Sequence, residues 1–218
     1  MINQFLSFFL QKNCPLCQRP SPQIICNYCE QKIKSEQRDL KECIIKIKDY
    51  QIIIWGKYDG YLKRAITDLK YNNKPELAKL LGTYLGKLWL NFYKNKLIEK
   101  YTVVPIPLHP KKIKIRGFNQ AELIADGFCE ITGFPHLPHL LSRVKNTEAM
   151  FSLTPSQRQA NIHQAFTIGK DYHRFNRLSE VIIIDDIYTT GTTVEEAIKV
   201  LHTLQIKVQG LGALASSR

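Results

Sequence analysis

Residues 181–194 read Val-Ile-Ile-Ile-Asp-Asp-Ile-Tyr-Thr-Thr-Gly-Thr-Thr-Val, VIIIDDIYTTGTTV. Val181, Ile182, Ile183 and Ile184 form a β-branched apolar run without polar alternation, which predicts a strand buried on both faces of a parallel sheet. Two acids, Asp185 and Asp186, stand at its carboxyl end. Thr189, Thr190, Gly191, Thr192 and Thr193 follow, and an apolar-periodic stretch from Val194 to Leu204 predicts a helix behind them. Glycine permits a tight turn, so hydroxyls and free backbone amides gather at the helix N-terminus as a phosphate cradle.

A phosphate cradle close to two strand-tip carboxylates suits a ligand that carries a phosphate monoester and vicinal hydroxyls, and ribose 5-phosphate has both. An ordinary capped helix is the competing reading, since Thr192-x-x-Glu195 and Thr193-x-x-Glu196 both fit a capping box. Capping accounts for the threonines but not for the adjacent acids. The stretch closely resembles the phosphoribosyl-pyrophosphate motif of type I phosphoribosyltransferases: an apolar run, two acids, two spacers and Thr-Thr-Gly-x-Thr.

The chain has 218 residues, enough for one substantial domain and a small module, and 44% of them are hydrophobic. The apolar segment 5–10 is too short to span a membrane and has neither a basic lead nor a cleavage site, so a cytoplasmic location without membrane insertion is expected. Thirty-one Lys and Arg against 19 Asp and Glu leave a net charge of +12, a balance that favours polyanionic partners, either a polyphosphate or a nucleic-acid backbone.

Cys14-Pro15-Leu16-Cys17 and Cys26-Asn27-Tyr28-Cys29 are two C-x-x-C knuckles, the pattern of a four-thiolate tetrahedral zinc site. Disulfides and a redox C-x-x-C are the competing readings; no secretion signal is expected, and neither pair opens a βαβ unit. Cys43 and Cys129 fall outside the pattern. The charge-dense stretch 30–48 reads as a linker, which divides the chain into a zinc ribbon with linker (1–48) and a transferase-like domain (49–218). In the second part, Ile52 to Trp55 predict a strand. Leu62, Ile66 and Leu69 predict a helix, and a second helix is expected over 76–93. Lys70 is expected in a loop. Three prolines, at 105, 107 and 110, predict a rigid extended connection, and Lys111, Lys112, Lys114 and Arg116 read as a basic loop with Gly117 opening the next helix.

With the knuckles, Tyr58-Asp59-Gly60-Tyr61-Leu62-Lys63, Leu69-Lys70-Tyr71, VPIPLHPKK and RGFNQAELIA in this order, the chain resembles the ComF/GntX family of DNA-uptake competence proteins, which look like phosphoribosyltransferases carrying an amino-terminal zinc ribbon. The resemblance implies an α/β, type I phosphoribosyltransferase fold, a mostly parallel sheet flanked by helices, with a small four-cysteine zinc ribbon. It implies zinc on Cys14, Cys17, Cys26 and Cys29. It also implies Mg²⁺ with phosphoribosyl pyrophosphate, whose ribose falls to Asp185 and Asp186, its 5-phosphate to Thr189–Thr193, and its pyrophosphate to Lys70 and Arg116. Residues 143–166 correspond to the mobile catalytic loop, and Arg158 would close over the leaving group. Natural transformation, handling of single-stranded DNA, and contact with DNA-uptake or recombination proteins follow as expectations, as does the alternative of a non-catalytic sensor or DNA-binding scaffold. The chain departs from the family at Glu148-Ala149-Met150 and Phe151-Ser152-Leu153, which replace Pro-Pro-Gln and Ser-Gly-Leu, and at Tyr188, which replaces a small aliphatic residue.

Overall fold

The computed structural model describes residues 13–47, 49–93, 101–147 and 155–216, and within 155–162 the side chains of residues 155, 156, 158 and 159 are not described. The apolar segment 5–10 and the departures at 148–153 lie outside the described residues. Seven strands are assigned among them: β1 (Ile44–Lys46), β2 (Gln51–Lys57), β3 (Tyr101–Pro105), β4 (Leu141–Arg143), β5 (Phe166–Ile168), β6 (Glu180–Tyr188) and β7 (Val208–Ser216). The α-helices are α1 (Asn27–Lys34), α2 (Gly60–Tyr71), α3 (Glu76–Tyr93), α4 (Pro110–Arg116), α5 (Gln120–Thr132), α6 (Pro155–Ile162) and α7 (Thr192–Thr203).

Five strands form the main sheet in the order β1-β2-β7-β6-β3, parallel except for β1, which runs antiparallel to β2 at one edge. The expected α/β class and mostly parallel sheet are therefore present. β6 lies between β7 and β3, and its apolar run faces both ways. Ile182 and Ile184 join a core with Trp89 and Phe128 of α3 and α5, while Val181 and Ile183 join a second core with Val194, Ala197 and Leu201 of α7. All four residues from Val181 to Ile184 are fully buried. A sheet covered on both faces needs this pattern, because each alternate side chain meets a helix layer rather than water. On one face α3 and α5 lie unusually close: a Cβ added at Gly82 would meet the Ile124 carbonyl oxygen at 2.1 Å, and one at Gly127 would meet that of Lys79 at 2.1 Å.

Two expectations are corrected here. The stretch 30–48, read as a linker, contains most of α1 and all of β1. Its sparse apolar residues are enough, because Ile33 and Cys43 are fully buried in the core they share with α2 and the main sheet. The basic run expected as a loop is α4. Pro110 sits in its first turn, where a fixed φ and a missing amide cost nothing, and the His109 ring nitrogen accepts from Lys111 N at 3.2 Å. Gly117 ends α4 with φ +88° rather than opening α5, which Asn119 caps by accepting from Ala121 N.

Candidate functional site

Helix α5, which follows β3, covers one face of the sheet, and α7, which follows β6, covers the other. Neighbouring parallel strands whose helices leave to opposite faces open a crevice beyond their carboxyl ends, where α/β proteins bind ligands. Pro105, the last residue of β3, pairs with Ile184, so β6 outruns β3 by four residues, with Asp185 and Asp186 first among them. The strand order thus sets both acids at the mouth of that crevice.

Asp185 is half-buried and its Oδ1 accepts from the Asp186 amide at 2.8 Å. Burial, then the neighbouring Asp186 charge, push its carboxyl up to about 7, against the opposing pull of that amide, Lys70 and Arg143. Asp186 is buried, and Lys70 Nζ lies 2.9 Å from its Oδ2. This is a close ion pair in which Oδ2 has no well-aligned hydrogen-bond donor. Burial alone would lower the Lys70 ammonium, but the two carboxylates outweigh it and hold it above the ordinary lysine range. Lys70 does not lie in a loop as expected: it occupies the last turn of α2, whose Asp59 cap accepts from Gly60 N at 2.8 Å.

Beyond the acids, β6 ends at Tyr188 and the chain turns through Thr189 and Thr190 to Gly191, with φ +87°, directly before α7. The competing capping-box reading fails. Gly191 is the N-cap, no side chain caps the helix, and Thr190 and Thr192 share a hydroxyl–hydroxyl hydrogen bond of 2.8 Å. Glu196 points elsewhere, accepting from Gln164 N at 3.2 Å. Tyr188 backs the turn closely: a Cβ added at Gly191 would lie 2.9 Å from the Tyr188 hydroxyl. Thr189, Thr190, Thr192 and Thr193 are all partly exposed.

Basic side chains stand around this mouth. Arg116 hydrogen-bonds Gln120 Oε1, and its guanidinium lies 5.8 Å from the centre of the Tyr71 ring. Burial, reinforced by Arg143 and Arg116, lowers the Lys112 ammonium. Arg158 lies on α6, and its side chain is outside the described residues. Sequence reasoning missed Arg143. It ends β4, pairs in register with Phe166, donates to Thr147 and leaves Nε buried without a partner. Burial lowers its guanidinium while Asp185 raises it, so this cation is electrostatically tied to the acid pair. Only its place at the first position of the expected mobile loop could have singled it out.

The four knuckle cysteines converge, their sulfurs all within 4.8 Å of one another, with Cys17 Sγ and Cys26 Sγ 3.5 Å apart. Zn–S bonds of about 2.3 Å in a tetrahedron need sulfur separations near these values. Burial opposes thiolate formation at Cys14, but backbone amides from Cys26, Cys17 and Leu16 outweigh it and bring the thiol down to about 7. Donor type, number and spacing fit a structural zinc ion. Cys43 is buried elsewhere in the core and Cys129 lies on α5.

No family model matches the chain. It is 28% identical over 208 residues to competence protein F of Haemophilus influenzae, covering 91% of this chain and 89% of that protein. It is 25% identical over 192 residues to competence protein ComFC of Bacillus subtilis, covering 86% and 70%. Among solved structures, adenine phosphoribosyltransferase of Saccharomyces cerevisiae aligns over 88% of this chain and 89% of its own, with 16% identity and a TM-score of 0.42. The chain resembles ComF-type competence proteins along most of its length. Among the described residues, no helix is long and apolar enough to cross a membrane.

Proposed function

We propose that the chain binds phosphoribosyl pyrophosphate with Mg²⁺ and acts as a phosphoribosyltransferase in the handling of incoming DNA during natural transformation. The observation that carries this reading is the placing of two buried or half-buried carboxylates at the mouth of the β3–β6 crevice, directly before an uncapped, glycine-turned helix start. Asp185 and Asp186 accept the ribose hydroxyls, and Thr189 to Thr193 hold the 5-phosphate. Lys70, Arg116 and Arg158 meet the pyrophosphate. Mg²⁺ bound together with the ligand would supply positive charge to the departing pyrophosphate and so lower the cost of charge separation. The bond from ribose C1 to pyrophosphate breaks, the electron pair leaves with pyrophosphate, and the acceptor bonds C1 as it loses a proton. Zinc on Cys14, Cys17, Cys26 and Cys29 is structural, in an amino-terminal ribbon unit over 1–48 whose α1 and β1 pack onto a transferase-like unit over 49–218. The setting is the cytoplasm, where the incoming single strand and its recombination partners meet.

One observation favours the second reading, a scaffold that binds single-stranded DNA without catalysis. Tyr28 is 44% exposed on α1, meets Tyr61 edge-on, and has Arg19 at 5.1 Å and Lys32 at 5.8 Å over its ring. Exposed rings flanked by cations suit base stacking beside a phosphate backbone. Calorimetric titration with phosphoribosyl pyrophosphate and Mg²⁺, followed by a pyrophosphate-release assay against bases and nucleic acids, separates the two. Binding with release supports transfer; binding without release leaves the scaffold.

A further inference from the structure

The basic wall beside the acid pair borders more space than a pyrophosphate group uses. Between the end of α2 and the length of α4 lies a cavity of about 630 Å³, lined by Lys70, Tyr71, Lys112, Lys114, Ile115 and Arg116 together with Asn73 and Gly117. Among the described residues its lining carries four cations and no acid. That volume falls in the range of pockets that enclose whole small ligands, and two phosphoryl groups fill a minor part of it. The remaining wall is not built for phosphate. Tyr71 is 64% exposed and Ile115 87% exposed, the two largest apolar exposures beside this site, and Arg116 already lies over the Tyr71 ring at 5.8 Å. An exposed aromatic ring with a guanidinium on it, beside clustered ammonium groups, offers a planar group a stacking surface and its phosphates a positive field.

We infer that this cavity is a nucleotide site distinct from the acid pair: a nucleobase stacks on Tyr71 and its 5′-phosphates lie against Lys112 and Lys114. The site rests on the proposed function, since Lys70 and Arg116 wall both spaces, but its base and phosphate contacts stand on Tyr71, Lys112 and Lys114 rather than on Asp185 and Asp186. The same chemistry is presented by a free nucleoside diphosphate and by the 5′-phosphorylated end of a strand.

The test is calorimetric titration of the full chain with ADP, inorganic pyrophosphate and adenosine, and with oligothymidylates bearing a 5′-phosphate or a 5′-hydroxyl. Stacking should make ADP bind about tenfold more tightly than pyrophosphate, and adenosine more weakly than either. Tyr71→Ala should erase the advantage of ADP over pyrophosphate, and Tyr71→Phe should keep it. Equal affinity for ADP and pyrophosphate, or an advantage that survives Tyr71→Ala, overturns the inference. A Tyr71-dependent preference for the 5′-phosphorylated oligonucleotide identifies the strand end as the source, and equal binding of the two oligonucleotides, with the ADP preference intact, identifies the free nucleotide. The Asp185→Asn/Asp186→Asn variant keeps the two readings apart. It should retain the ADP preference while losing phosphoribosyl pyrophosphate; loss of ADP with it would place ADP in the phosphoribosyl site and overturn the inference. A parent chain that shows the Tyr71-dependent preference yet ignores phosphoribosyl pyrophosphate overturns only the proposed function.

Discussion

Lys70 Nζ and Asp186 Oδ2 stand 2.9 Å apart, joining the last turn of α2 to the tip of β6 across 116 positions of sequence, with side-chain exposures of 17% and 7%. The pair ties the edge of the basic wall to the acid pair at the strand tip. Removing the cation leaves Asp186 buried beside a half-buried Asp185, a like-charge contact that folding must then carry. Lys70→Ala should cost about 2 kcal/mol of stability, and Lys70→Met, which keeps the apolar stem, should cost the same or less. Urea unfolding of both checks this, and unchanged midpoints in both would mean that the pair stabilises nothing.

Asp185 supplies a pH dependence with a definite sign. Its folded carboxyl titrates at about 7, above the ordinary aspartate value of about 3.9. The folded state therefore binds more protons than the unfolded one between those values. Its contribution to stability falls as pH rises through that window and is level above it. Thermal melts from about pH 4 to about pH 8 should show Asp185→Asn gaining on the parent as pH rises. Parallel curves would contradict the assignment. Ligand affinity should move the other way, rising from about pH 6 to about pH 8 as the carboxylate ionises, and Asp185→Asn should flatten that rise.

The ribbon and α2 share one core: Cys14, Leu16, Cys29 and Ile33 cluster with Leu62, Ala65, Ile66 and Leu69. If the four cysteines hold the proposed zinc, chelation should therefore loosen α2 as well as the ribbon. Hydrogen exchange is the direct readout, with amides over residues 62–71 expected to exchange faster after chelation while those of β6 change least. Unaltered exchange in α2 would show the two units to be energetically separate.

Gly191 is held at φ +87° with Tyr188 against it. Gly191→Ala should lose about 1–2 kcal/mol from the left-handed backbone alone, and more from the contact with the tyrosine hydroxyl. Because the same turn aims the first amides of α7, phosphoribosyl ligands should weaken more than the stability loss implies. A variant that melts lower but binds as the parent does would detach the turn from phosphate recognition.

What could be read in the chain without a structure was what local chemistry determines. An unbroken β-branched run has only one stable use in an α/β protein, so β6 and its acid tip were legible, as were the two knuckles. Arg143 was not, nor was the pairing of Lys70 with Asp186, because both arise from contacts across more than forty residues and each side chain is one of 31 Lys and Arg. The misreading of α4 has a narrower cause: prolines at 105, 107 and 110 look like one extended run, yet the third sits where a helix accepts proline in its first turn. β1 escaped notice because a three-residue edge strand leaves almost no period to read.

The central claim is that Asp185 and Asp186 hold the ribose of a phosphoribosyl ligand, and calorimetry on the Asp185→Asn/Asp186→Asn variant with phosphoribosyl pyrophosphate and Mg²⁺ tests it most directly. Each charge-assisted hydrogen bond is worth roughly 1.5–3 kcal/mol, so the double variant, which relieves the like-charge contact but leaves Lys70 without its counter-charge and melts somewhat below the parent, should still fold and bind at least a hundredfold more weakly. A folded double variant that binds phosphoribosyl pyrophosphate as tightly as the parent would contradict the account.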